Sequence, residues 1–224
     1  EAVAMARRLG DPHLQMMALN AAAMQNYWIG WIADRDAVGE QLIELAGEHN
    51  LVAAEQLGRM ALASGHAARG DLALADEHVE IVRANAREHG QHLVLAITAA
   101  YRAMRHIVAG DLESALTQYG KTSRVVGRSR GWDEDADFTT GTTAVAYLSV
   151  GRGCELAEVW EAHSFDTASY PELHALACAL AGRKVTVRAP RPVRKDYFWD
   201  INWCIRGLLG IQIGDQDRID SAYE

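Results

Sequence analysis

The sequence predicts an all-α fold, an α-solenoid of about five stacked helical hairpins that is interrupted before the last one. Three observations carry this expectation. His66-Ala-Ala-Arg-Gly70-Asp71-Leu-Ala-Leu-Ala75 recurs as His106-Ile-Val-Ala-Gly110-Asp111-Leu-Glu-Ser-Ala115, each copy joining two helical runs through a Gly-Asp break. The glycines Gly30, Gly70, Gly110 and Gly151 are 40, 40 and 41 residues apart, and Ala23, Ala63, Ala103 and Ala144 each lie seven residues before one of them. Alanine and leucine dominate the long segments and β-branched runs are scarce, with only 4 Pro in 224 residues. A single hairpin of this kind cannot bury its apolar face, so copies must stack. The recurring alanine marks a place where a larger side chain would force paired helices apart.

The elements follow in order. His13 to Ile29 reads as a helix with Leu14, Met17, Ala21, Met24 and Trp28 on one stripe, ended by Gly30. Asp36 is placed to cap a second helix running to about Glu48, beyond which Asn50 supplies a break. Leu51 to Arg69 and Leu72 to Glu88 form the next pair, and His92 to Ala109 and Leu112 to Val126 the third. Asp133 then caps a helix from Glu134 to Val150, followed by a shorter one from Glu155 to Ala162. Pro171 to Gly182 is an additional helix with proline at its start. The organisation expected is residues 1–182 as four units plus that helix, 183–195 as a basic connector, and 196–224 as a fifth, truncated unit.

Charge and cysteine usage narrow the function classes. With 22 basic and 30 acidic residues the net charge is −8, which disfavours nonspecific nucleic-acid binding by the chain as a whole. The segment from Arg183 to Lys195 holds six basic residues and no acid, so Arg188, Arg191, Arg194 and Lys195 are candidate contacts for phosphate or an acidic partner. The 3 cysteines, Cys154, Cys178 and Cys204, are far apart and odd in number, which argues against a disulfide framework and for a reducing, cytoplasmic setting. No apolar run reaches the roughly 18 residues of a membrane span, and no membrane role is expected. The chain opens inside one helical pattern and stops inside another, as expected of a segment from a longer polypeptide.

These units resemble the tetratricopeptide repeat. Its pattern has a small residue midway along the first helix, Gly-Asp at the turn, and alanine then an aromatic in the second helix. Here Ala75 and Ala115 follow the break by five residues, with Val79 and Tyr119 nine residues after it. Trp203 and Gly207, followed by Gly214-Asp215, resemble a fifth copy. A narrower similarity, in Ala6-Arg-Arg-Leu-Gly-Asp-Pro12 and in Gly210 to Tyr223, is to the helical-repeat regions of large actinobacterial ATPase regulators of the LuxR kind. The resemblance implies a right-handed superhelix and a sensing or interaction module of a cytoplasmic transcriptional regulator, with the other domains of the same polypeptide among its partners. The chain has no GxxxxGK[ST] loop and no DNA-reading helix of its own, so direct nucleic-acid contact is not expected.

In stacked hairpins of that family the first helices line the concave face. The mapping puts Met17, Asn20, Met24, Tyr27 and Trp28 there, then Leu57, Met60 and Ser64, then Ile97, Met104, Ile107 and Val108, then Phe138, Val145 and Leu148. Four of the 6 methionines fall in this set, and methionine adapts to irregular apolar partners. The expected occupant is a peptide, a partner domain or a small-molecule inducer, oriented by Asn20, Tyr27 and Ser64. The competing reading is that curvature buries these side chains against one another, leaving a structural or oligomerisation scaffold.

Catalytic readings are weaker. His66 and His106 occupy equivalent positions where the family places a packing aromatic, and Glu48-His49, Glu77-His78 and Glu88-His89 are adjacent pairs that diverge on a helix. No HExxH or paired Cys/His spacing is present, so no metal or other cofactor is expected. The acids of Trp132-Asp-Glu-Asp-Ala-Asp137 are placed to complement a helix start rather than to hydrolyse a substrate. Thr139-Thr-Gly-Thr-Thr143 has no base assignable beside it. The sequence therefore points to recognition and not to an enzyme.

Overall fold

The computed structural model describes residues 1–25, 32–126, 135–163, 171–185 and 199–223. Among them the regular structure is helical throughout: α1 Ala2–Leu9, α2 Pro12–Gln25, α3 Ile32–His49, α4 Val52–Ala68, α5 Leu72–Glu88, α6 His92–Val108, α7 Leu112–Val126, α8 Asp135–Ser149, α9 Leu156–His163, α10 Pro171–Leu180, α11 Trp199–Ile213 and α12 Gln216–Tyr223. A 3-10 turn, Gly153–Glu155, leads into α9. No described helix is long and apolar enough to cross a membrane. Most expected boundaries agree to within a residue or two. Gly30, the Arg128–Glu134 stretch and the connector from Arg188 onward lie outside the described residues.

The Gly-Asp breaks are built one way. Gly70, Gly110, Gly151 and Gly214 adopt φ of 85°, 79°, 74° and 71°, the left-handed region that only glycine enters without strain. In the first three the glycine N–H bonds back to the carbonyl of Ala67, Ile107 or Leu148, at 3.1, 2.9 and 3.2 Å. In all four the next residue's N–H reaches a carbonyl five positions earlier: Asp71 to His66, Asp111 to His106, Arg152 to Tyr147 and Asp215 to Gly210, each at 2.9 Å. At three glycine breaks the following aspartate also serves the next helix, whereas Asp71 makes no such bond and Arg152 stands in its place after Gly151. Asp111 Oδ1 accepts the Ser114 N–H at 3.0 Å, Asp215 Oδ1 accepts the Arg218 N–H at 3.2 Å, and Asp11, after Gly10, accepts the His13 N–H at 2.8 Å. Hydrogen bonds from Ser114, with a further contribution from His106, hold the Asp111 carboxyl below its ordinary range.

The chain divides into two compact units, 1–98 and 99–224. In the first, Leu19, Leu42, Leu45, Ala46 and Ala54 form the core, with Val3, Met16, Val38, Leu51 and Leu57 packed against it. Ala61 and Ala63 on α4 and Ala75, Val79, Val82 and Ala86 on α5 are buried as well. Helices α3 and α4 approach closely at a pair of glycines. A methyl added at Gly58 would lie 2.6 Å from the Gly39 carbonyl oxygen and 2.8 Å from Ile43. Asp36, expected as a helix cap, lies inside α3, which begins earlier at Ile32. Its Oδ2 accepts a hydrogen bond from Arg69 Nη1 at 2.5 Å, and its carboxylate fills the space beside Gly65. That cross-helix partner, rather than an exposed helix end, accounts for an acid at this position.

In the second unit the core gathers Ile107, Leu112, Ala115, Ala144, Tyr147, Leu156, Trp160, Leu173, Leu176, Ile205 and Leu209. Leu156 and Trp160 follow Gly151 by five and nine residues, the positions of Ala75 and Val79 after Gly70. The helix α10, expected as inserted material, packs against α9 and α11 and buries Leu173, Ala175, Leu176 and Ala177. Its Glu172 is clamped by two buried arginines. Arg206 Nη2 of α11 lies 3.2 Å from Oε2, and Arg218 Nη1 of α12 lies 2.7 Å from Oε1. Arg218 also bonds Asp215 Oδ2 at 2.9 Å, and Arg206 stacks over the Trp203 ring at 4.8 Å.

Two substitutions test these contacts by urea denaturation. Gly58→Ala gains about 1 kcal/mol of helix propensity but overpacks the α3–α4 crossing at a cost of about 1–3 kcal/mol, so a net loss of up to about 2 kcal/mol is expected. Glu172→Gln weakens the charge-assisted bonds to both guanidinium groups while Arg218 keeps Asp215, and should cost about 1–3 kcal/mol.

Candidate functional site

Ala63, Ala103 and Ala144, seven residues before the turn glycines Gly70, Gly110 and Gly151, are buried at 1%, 0% and 2% exposure, and Ala23 is buried at 5%. Gly207, seven residues before Gly214, is also buried, and a methyl there would meet the Ala222 Cβ at 3.1 Å. These small residues fix which faces of the first helices are covered by neighbours. They thereby decide which faces remain open.

On α2 the covered face carries Met16, Leu19 and Ala23. The opposite stripe is open: Leu14 is 42% exposed, Met17 64% and Met24 46%, with Ala21 also exposed. Spacings of three, four and three residues keep these four side chains on one line along the helix. Asn20 beside them is half-buried. From Pro12 to Gln25 the helix holds no Asp, Glu, Lys or Arg. An exposed apolar line without a single formal charge is unusual on a helix that faces water alone.

The other expected groove residues are distributed differently. Met60 and Ser64 on α4 are half-buried, and the Ser64 hydroxyl donates to the Met60 carbonyl at 3.0 Å. Leu57 packs against the core of the first unit, and Ile97 is 39% exposed. In the second unit Met104 is half-buried, Val108 and Val145 are exposed, and Leu148 packs against the core. Ile107 is 8% exposed and belongs to that core, where it joins Leu112 from the far side of the Gly110 turn, and so offers no surface to a ligand. Phe138 is carried by α8. Tyr27, Trp28, Arg188, Arg191, Arg194 and Lys195 lie outside the described residues.

A second feature escaped the sequence reading: a polar seam running the length of the α4–α5 hairpin. At one end Gln56, 5% exposed, donates through Nε2 to Gln91 Oε1 at 2.5 Å. Next, Glu55 accepts from Arg59 Nε at 2.8 Å on its own helix and from Asn85 Nδ2 at 3.3 Å on α5. At the other end the rings of His66 and His78 stack, with centroids 5.5 Å apart and planes inclined by 14°. Arg69 Nη2 lies 3.3 Å from His66 Nδ1. Guanidinium only donates, so Nδ1 accepts, and the neutral ring carries its proton on Nε2. Burial and the nearby Arg59 charge lower the His78 pKa from 6.5. Spacing on α4 at positions 55, 59, 66 and 69 is that of a solvated helix face. The neighbouring helix leaves most of it half-buried, with Arg69 still exposed.

His106 repeats part of this arrangement, its Nδ1 lying 3.5 Å from Asp111 Oδ2, as His66 Nδ1 lies 3.9 Å from Asp71 Oδ2. Each histidine thus lies beside the aspartate of its own turn, and His106, at 42% side-chain exposure, is less packed than the position leads one to expect. Among the described residues no three His, Cys, Asp or Glu side chains converge as a metal site, and Cys154, Cys178 and Cys204 are free thiols.

The seam makes a prediction about paired burial. Gln56→Leu alone strands the Gln91 amide and should cost about 1–3 kcal/mol, whereas Gln56→Leu with Gln91→Leu replaces both partners and should recover most of that loss. A double-mutant cycle in urea measures the difference.

No family model, no curated protein and no solved structure matches the chain.

Proposed function

We infer that this chain is a non-catalytic recognition module, built of tetratricopeptide-like hairpins wound as a right-handed solenoid, that serves a larger cytoplasmic regulator. The observation that carries the reading is the open line Leu14, Met17, Ala21 and Met24 on a helix free of formal charge. A face of this kind accepts the apolar edge of an amphipathic helix, whose own anchors recur at three- and four-residue spacing. Two methionines in the line let the face adjust to side chains of different shape. Asn20 supplies a polar group beside it that can fix the partner's register. The repeated turn geometry, the buried alanines before each turn and the resemblance to regulator repeats support the same assignment, since scaffolds of stacked hairpins present first helices to their partners.

Helical peptides selected from a random library against the chain test it. Binders are expected to carry apolar residues at three- and four-residue spacing. Met17→Glu with Met24→Glu should weaken them by at least about tenfold, or roughly 1.4 kcal/mol, while the melting temperature stays close to that of the parent chain because both side chains are exposed. Affinity that is unchanged in the double variant rejects this face as the binding site.

A further inference from the structure

We propose that the stacked His66–His78 pair makes the α4–α5 hairpin acid-responsive, a built-in switch that loosens this hairpin when His78 takes up a proton. The geometry carries it. The two rings lie face to face at 5.5 Å, one from each helix, so a positive charge on either is felt by the other. His78 Nδ1 is buried and has no hydrogen-bond partner among the described residues, so a proton placed there gains no acceptor. The His66 Nδ1, which could have shared a proton, already accepts from Arg69.

The charges around the pair are mixed, and the cations are well placed. From α4, Arg59 and His66 act against a charged His78, and from α5 only Glu77 acts in its favour. Asp71 in the turn lies 3.9 Å from both His66 Nδ1 and Arg69 Nε, and Asp36 of α3 is engaged by Arg69. Asp36 and Asp71 thus lie beside Arg69, and Glu77 is the carboxylate that acts on the His78 ring.

The sign follows from linkage. The folded-state value of His78 lies below the 6.5 of an unperturbed imidazole. Above pH 6.5 both folded and unfolded chains hold the ring neutral, and the hairpin keeps its full stability. As pH falls from 6.5 toward the folded-state value the unfolded or opened form binds the proton first, and stability is lost. Opening of α4 and α5 therefore increases on mild acidification, across a range that cells and their compartments traverse.

The test uses the full chain. Histidine proton resonances followed by NMR should give His78 a midpoint clearly below 6.5, and amide exchange within 52–88, corrected for its intrinsic pH dependence, should accelerate several-fold between pH 7 and pH 5.5 (roughly one His titration range). His78→Phe keeps a stacked ring without a titrating group and should flatten that acceleration. His66→Gln removes the facing imidazole, and should move the His78 midpoint upward while leaving the helices in place. A His78 midpoint at or above 6.5, or an acceleration that persists unchanged in His78→Phe, overturns the proposal. Should His78→Phe fail to fold, an unmoved His78 midpoint in His66→Gln overturns it equally.

Discussion

The backbone at each hairpin turn is the constraint from which the rest of the structure follows. A residue with positive φ closes the first helix, the next N–H returns five positions to a carbonyl, and in three breaks the aspartate after the glycine caps the helix that follows. This geometry reverses the chain within two residues. Two helices joined so tightly must lie side by side, and their separation is then limited by whatever side chain sits near the crossing. Alanine or glycine seven residues before the turn is the answer at the four described turns, with Ala63, Ala103, Ala144 and Gly207 all buried. Turn chemistry and the small residue are one requirement stated at two positions.

Much of the helical layout was legible because its signals are local. Glycine, the following aspartate and the apolar period all act within a few residues, so α4, α5, α6 and α7 fall where their sequences put them. What escaped depends on partners remote in sequence. Asp36 resembles a cap, yet α3 starts earlier and Arg69, 33 residues on, claims its carboxylate. Gly39 and Gly58 look like flaws in two helices until they are seen to meet. The apolar line on α2 was visible as a line, but periodicity cannot say which of two faces a neighbour will cover, and here Leu19 and Ala23 are covered while Met17 and Met24 are not. Ile107 fails for the same reason, since its place before a turn puts it against Leu112. Trp160, at the position of Val79, was hidden because its unit lacks the aspartate that flags the other breaks.

Within residues 1–98 the usual placement of polar and apolar groups is partly inverted. Helix α2 shows methionine and leucine to solvent, while α4 and α5 enclose glutamine, asparagine, glutamate, arginine and histidine between them. Each half of that inversion costs stability. Exposed apolar area forgoes roughly 25 cal/mol per Å², and the polar groups between the helices are tolerated because most of them find a partner, the His78 Nδ1 being an exception. A segment selected for stability alone would not combine the two.

The Glu172 clamp stands apart from this local logic. Its partners Arg206 and Arg218 come 34 and 46 residues later, whereas the turn bonds span five residues or fewer. During synthesis at a ribosome, α10 emerges with an acidic group whose counter-charges have not yet been made. The hairpin turns close their bonds within five residues as they appear, while α10 must wait for α11 and α12 before its carboxylate is neutralised. The carboxylate of α10 is thus the last of these groups to find its partners, because they lie on helices made after it.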